Sequence, residues 1–150
     1  MNRHLLDLNV LLALVWQDHE FHDLSRRWFH EIGKRNFATN AFTQAGFVRL
    51  STNPRYVKKP VDAQEAIEAL RAFTQEPGHT FWPLDIGIQQ ATAPFIRNVF
   101  GTKQITDAYL LGQAIRNDGI LVTLDRAFLQ MAGRRYAKHI QLLANASPTP

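Results

Sequence analysis

Residues 4–16 read HLLDLNVLLALVW. Leu5 and Leu6 make an apolar run of strand length that ends in Asp7, and the run from Val10 to Val15 that follows Asn9 reads as helix. A strand that passes so directly into a helix is the opening of a βα unit, and in open α/β sheets ligands bind in the crevice beyond the carboxyl ends of the strands. Asp7 therefore faces a crevice and not a core. Asn9 is predicted to be the N-cap of the helix, and its short amide is also placed to orient the Asp7 carboxylate. Taken alone, the two residues suit a plain polar turn equally well.

The rest of the chain repeats the alternation. Phe21, Leu24, Trp28 and Ile32 fall at spacings of three and four, which predicts a helix over residues 21–34 with one apolar face. A short strand is expected at residues 37–39, a helix at 43–51, and a stop at Asn53-Pro54. Asp62 and Glu65 are spaced as a capping box opening a long helix, which Pro77-Gly78 closes. A third strand is expected at 79–83, with Asp85 capping the next helix and Pro94 kinking it. Then come a helix at 106–117 with Thr106 as its N-cap, a turn at Asp118-Gly119, a strand at 120–123, a short helix at 126–131 and a last strand near 140–143. Parallel neighbours need crossovers of about a dozen residues, which these helices supply. The expectation is a three-layer α/β sandwich with a mainly parallel central sheet of about five strands, one domain over residues 1–144, and a frayed tail at 145–150.

Composition removes several function classes. With no cysteine, the chain has no disulfide, thiolate metal site or cysteine nucleophile, so any metal must be held by oxygen or imidazole. No apolar run is long enough to span a bilayer and no cleavable leader is evident, so a cytoplasmic, membrane-free protein is expected. Seventeen Lys and Arg against thirteen Asp and Glu give a formal charge of +4, a mild bias toward polyanions. The basic residues fall in scattered pairs, each ordinarily a solvated surface. No G-x-G-x-x-G or P-loop motif occurs. His19 and His22 are spaced too weakly for a metal site, and surface or cap roles suit them better.

Three acids remain. Asp107 lies in the first turn of the helix beginning ITDAYLLG, and Asp125 lies just past the strand ILVT, in the same strand-end position as Asp7. Three carboxylates gathered in one cleft raise one another's pKa unless a cation compensates them, and Mg²⁺ or Mn²⁺ suits an all-oxygen site. Each acid also has a local use: Asp107 at a helix's positive end, Asp125 as cap of the helix after it.

The segments LLDLNVLLAL, TQAGFVRLSTNPRY, PGHTFWPLD and ITDAYLLGQAIRNDGILVTLDRAF together resemble the PIN-domain ribonucleases, specifically VapC-type toxins of type II toxin-antitoxin modules. The resemblance runs from about residue 3 to 130. It implies a parallel sheet covered by helices, acids binding Mg²⁺ or Mn²⁺, endonucleolytic cutting of RNA by metal-activated water, a VapB-type antitoxin partner, and homodimerisation. Residue by residue it carries the family's first, third and fourth acids onto Asp7, Asp107 and Asp125, as metal ligands. Asn9 and Thr123 match the small polar residues that orient them.

The second acid departs from the pattern. Similar chains read TENGFVR where this one reads Thr43-Gln44-Ala45-Gly46-Phe47-Val48-Arg49, so Gln44 stands in the place of the glutamate. Glutamine keeps a carbonyl acceptor and loses a charge and a proton acceptor. Three carboxylates still suffice for one cation. The rival is a weakened or inactive PIN module that works by binding RNA or antitoxin. A haloacid-dehalogenase-like phosphatase also begins on a strand-end Asp, but its proton-donating acid two residues on is here Asn9. Among the basic residues around the cleft, Lys103 and Arg126 are the candidates for contacts to flanking phosphates.

Overall fold

The computed structural model describes residues 3–143. The expected tail at 145–150 lies outside the described residues. Five strands form one sheet in the order β3-β2-β1-β4-β5: β1 (His4–Leu6), β2 (Phe37–Asn40), β3 (His79–Trp82), β4 (Ile120–Thr123) and β5 (Ile140–Leu142). Every pairing is parallel. The helices are α1 (Leu8–Val15), α2 (His22–Glu31), α3 (Ala41–Ser51), α4 (Ala63–Phe73), α5 (Ile88–Thr92), α6 (Ile105–Arg116) and α7 (Ala127–Tyr136).

Strand side chains alternate between faces, and the two apolar cores follow from that alternation. Leu6, Phe37 and Val122 enter one cluster with Val10 and Leu11 of α1, Phe29 of α2 and Phe47 of α3. Their chain neighbours Leu5, Ala38 and Leu121 enter the other, with Ala108 and Leu111 of α6 and Phe128 and Met131 of α7. The sheet is therefore covered on both sides, as a parallel sheet must be. The chain builds β1, β2 and β3 outward in one direction through helices on the first face. It then returns past β1 to lay down β4 and β5 with helices on the second. The direction of winding reverses at β1 and β4, which leaves a crevice beyond their carboxyl ends.

The strands fall where the periodicity places them, while several helix starts do not. Asp7, not Asn9, is the N-cap of α1, its Oδ1 accepting the Leu8 amide at 2.8 Å. Helix α3 begins at Ala41, where Asn40 and Thr43 form a reciprocal capping box that brings the start forward from the expected residue 43. Asp62 caps α4 as expected, accepting the Glu65 amide at 2.8 Å. Asp85 does not cap α5, which starts after Gly87 without a side-chain cap. Helix α6 follows a 3₁₀ turn (Thr102–Gln104), so Gln104 takes the cap position and Thr106 lies exposed inside the helix. Helix α7 runs on to Tyr136 through a kink at Gly133, whose φ of 64° favours glycine. On α2 the buried stripe is Ser25, Trp28 and Phe29; Ile32 turns outward. No helix among the described residues is long and apolar enough to cross a membrane.

Candidate active site

Asp7 is placed by the central strand. Its amide continues the β1–β4 ladder by donating to the Val122 carbonyl at 2.9 Å, which carries the carboxylate to the mouth of the switch-point crevice. One carboxylate oxygen caps α1, and the other accepts the Thr123 hydroxyl at 2.7 Å. Thr123 is fully buried at the end of β4, and its Oγ1 also accepts the Asp125 amide at 3.0 Å. One hydroxyl thus ties the ends of two strands and two of the three acids together. Thr123, expected to orient the acids, donates to Asp7 and accepts from the Asp125 backbone. Asn9 is not among the hydrogen-bond partners of Asp7; it lies exposed in the first turn of α1, on the cleft wall.

Asp125 is half-buried, and its Oδ1 accepts the Ala127 amide at 2.9 Å, so it caps the entry to α7 from the crevice side. Asp107, also half-buried, sits in the first turn of α6, which has no side-chain cap. Burial pushes the Asp7 carboxyl up to about 6 even though Thr123 and Leu8 donate to it, with the Asp125 charge adding to the rise. Asp107 is pushed up to about 7, first by burial and then by the charges of Asp7 and Asp125. Asp107 thus feels both other acids across the crevice, and Asp7 feels Asp125.

Among the described residues no Lys, Arg or His forms an ion pair with these acids. The ion pair among the described residues joins Arg71 to Glu68 on α4, remote in sequence from all three acids. Hard carboxylate oxygens in mutual repulsion are the donor set that a divalent cation fits. Asp7 spends two oxygen positions on Leu8 and Thr123 and keeps lone pairs free, since an ionised carboxylate accepts at about four sites. Among the described residues no three acids or imidazoles stand close enough together to form a closed metal cage. The three carboxylates share a field without enclosing a point.

Gln44 lies in the first turn of α3 and is half-buried. Its amide Nε2 donates to Thr39 Oγ1 at 3.0 Å, and that hydroxyl lies 2.7 Å from His79 Nε2. The side chain is thus held to Thr39 of β2, whose hydroxyl meets His79 at the start of β3. Lys103 is exposed on the 3₁₀ turn before α6, and Arg126 is exposed beside Asp125.

The crevice opens into a cavity of about 560 Å³ whose wall includes Asn9, Asp125 and Arg126. The cavity is also lined by His19 and Phe21, for which the sequence suggested only a surface or cap role and a place on a helix's apolar face, and by Arg55 and Tyr56, which sequence reasoning did not single out. The first two lie in the loop from α1 to α2. The other two lie in the turn after α3, where the Asn53 side chain accepts the Arg55 amide at 2.9 Å. The Asn-Pro stop was a visible signal that this turn would be tight; that its next two residues return to the crevice depends on how α3 packs against α1. His22, by contrast, is spent on structure, with its Nδ1 2.7 Å from the Ala13 carbonyl oxygen.

A five-stranded parallel sheet in this order, with acids converging at its switch point, defines an α/β protein with a candidate hydrolytic centre. Residues 4–134 match the model of the PIN domain family, and the chain belongs to that family. Among its relatives are three proteins of Mycobacterium tuberculosis. Ribonuclease VapC39 is 38% identical over 128 residues, covering 85% of this chain and 92% of its own length. Ribonuclease VapC44 is 40% identical over 125 residues, covering 83% and 87%. Ribonuclease VapC38 is 37% identical over 139 residues, covering 93% and 96%.

Proposed function

We propose that this chain is a divalent-metal-dependent endoribonuclease, the toxin of a type II toxin-antitoxin module. The observation that carries the reading is the convergence of Asp7, Asp107 and Asp125, from three separated segments, on one crevice, where the charge of Asp125 raises Asp7 and the charges of both raise Asp107, with no ion-paired basic partner among the described residues. The named relatives, all ribonucleases, support the same chemistry. Asp7, Asp107 and Asp125 are the residues that would hold Mg²⁺ or Mn²⁺. Such a cation, when bound, polarises a phosphodiester and lowers the pKa of water.

The chain's own groups do the rest. Thr123 holds the Asp7 carboxylate and the Asp125 backbone in one register, and the helix α6 N-terminus adds positive potential near Asp107. Arg126, exposed on the cavity wall, meets a phosphate flanking the scissile one, with Lys103 as a second contact. The reading brings with it an RNA substrate, a VapB-type antitoxin, a homodimer and a cytoplasmic setting. A second reading, a weakened or inactive module, is favoured by one observation: Gln44 lends its amide to Thr39 and brings no charge to the crevice.

The test is cleavage of total RNA with Mg²⁺ or Mn²⁺ by the parent and by Asp7→Asn, beside calorimetric binding of the same ions. Loss of cutting by at least a hundredfold in a folded Asp7→Asn protein is expected. Equal cutting by both refutes the three-carboxylate centre, and a parent that neither binds ion nor cuts supports the second reading.

A further inference from the structure

The cavity beside Asp125 has a chemical character of its own. His19 and Phe21 present rings 6.1 Å apart at an interplanar angle of 44°, both half-buried, and Tyr56 adds a third ring that is 57% exposed. Arg55 and Arg126 both line this cavity and are exposed, and among the described residues neither is engaged in an ion pair. A second cavity of about 280 Å³ adjoins the first, sharing His19, Glu20 and Tyr56, and Lys58 lines it. Its Trp16 is already committed, since the indole donates to Ser51 Oγ at 2.8 Å and stacks on Phe47.

Three features together select the occupant. The first cavity has the size of a small-ligand site, and Asp125, one of the three acids, lines it. Aromatic rings left open at its surface offer π-faces that any base can stack on, and guanidinium groups beside them suit the phosphates between bases. A duplex keeps its bases stacked inside and cannot use the rings; a single strand splays its bases and can. Glu20 on the shared wall disfavours a phosphate there and accepts from the N–H groups of a base edge.

We propose that His19, Phe21 and Tyr56, with Arg55, form a subsite that stacks an unpaired base of single-stranded RNA next to the bond at the acids. Tyr56 is its principal stacking residue and Lys58 follows the strand onward. The proposal rests on the nuclease reading for the identity of the polyanion and deepens it by naming what flanks the cut.

The experiment is binding and not cutting. The full chain is titrated into a short fluorescein-labelled single-stranded RNA in EDTA, read by anisotropy, with a duplex of the same length in parallel. Tyr56 is exposed on a turn, so its variants keep the fold. Tyr56→Ala is expected to weaken single-strand binding about tenfold, within the range of one lost base stack, while Tyr56→Trp binds as tightly as the parent. Arg55→Ala is expected to reduce the slope of log affinity against log salt by about one. Duplex binding is weaker and indifferent to residue 56. The proposal is overturned if Tyr56→Ala binds as the parent does, if tryptophan fails to replace tyrosine, if single and double strands lose affinity alike, or if the parent does not bind the single strand. Cleavage by Asp7→Asn tests the nuclease reading separately: its persistence removes the three-acid centre and leaves these affinities standing.

Discussion

Replacing Thr123 by valine keeps shape and volume and removes the hydroxyl that donates to Asp7 at 2.7 Å and accepts from the Asp125 amide at 3.0 Å. A hydrogen bond to a buried ionised group contributes about 1.5–3 kcal/mol, a neutral one about 1 kcal/mol. The Asp7 carboxyl is raised to about 6, above the value of 3.8 for a free aspartate. The folded state therefore holds that proton more tightly than the unfolded state. Its stabilisation is complete below pH 3.8 and is lost as pH rises through about 6, so the metal-free parent is more stable at pH 5 than at pH 8. Asp107, raised to about 7, acts in the same sense in parent and variant alike. Without the Thr123 donor, the Asp7 midpoint climbs by about one and a half pH units, equivalent to about 2 kcal/mol. Urea unfolding in EDTA at the two pH values measures this directly. The valine variant is expected to lose about 1–2 kcal/mol at pH 5, where Asp7 is protonated, and about 2 kcal/mol more at pH 8. An equal loss at both values refutes the claim that this hydroxyl serves the charge on Asp7, and assigns it to ordinary core polarity.

Two further perturbations follow from single contacts. A methyl group added at Gly112 of α6 would overlap the backbone carbonyl of Ala91 on α5, so Gly112→Ala is expected to cost about 1–3 kcal/mol and to lower the melting temperature by several degrees; an unchanged melt would mean that α5 shifts freely. Gln44→Glu restores a fourth charge beside β2 and is expected to raise Mn²⁺ affinity in calorimetry, with no gain placing residue 44 outside the metal's reach.

The sheet was most legible where a strand is a short apolar run ending at a polar residue, as in Leu5-Leu6 before Asp7 and Ile120-Leu121-Val122 before Thr123; that Leu5, Ala38 and Leu121 enter one core and Leu6, Phe37 and Val122 the other is visible only in the fold. Helix starts were less so. Asp7 and Asn9 are both good caps by type, and which one caps α1 depends on where the strand's ladder ends, a tertiary fact; Asp7 caps because its amide is still paired to Val122. Asp7 and Asp125 could be read as strand-end acids from their neighbours alone. The contributions of Phe21, Arg55 and Tyr56 to the cleft could not, because two loops separated by more than thirty residues meet there only through the packing of α1 against α2 and α3.

The local roles of these acids and the site role proposed for them are not alternatives. Asp7 caps α1 and Asp125 caps the entry to α7, and those backbone donors hold both carboxylates still while leaving lone pairs free. The desolvation that raises Asp7 to about 6 is a destabilising element in a protein without a cation. Any ion that binds the folded state alone offsets it through mass action, adding about 2.7 kcal/mol at a hundred times its dissociation constant. Binding and folding are thereby linked at one hydroxyl: a change at Thr123 that weakens the hold on Asp7 acts on the metal-free fold most strongly at the pH where the acids are charged. That is also where a cation has most repulsion to relieve, so added Mn²⁺ should narrow the gap between the pH 5 and pH 8 stabilities of the parent.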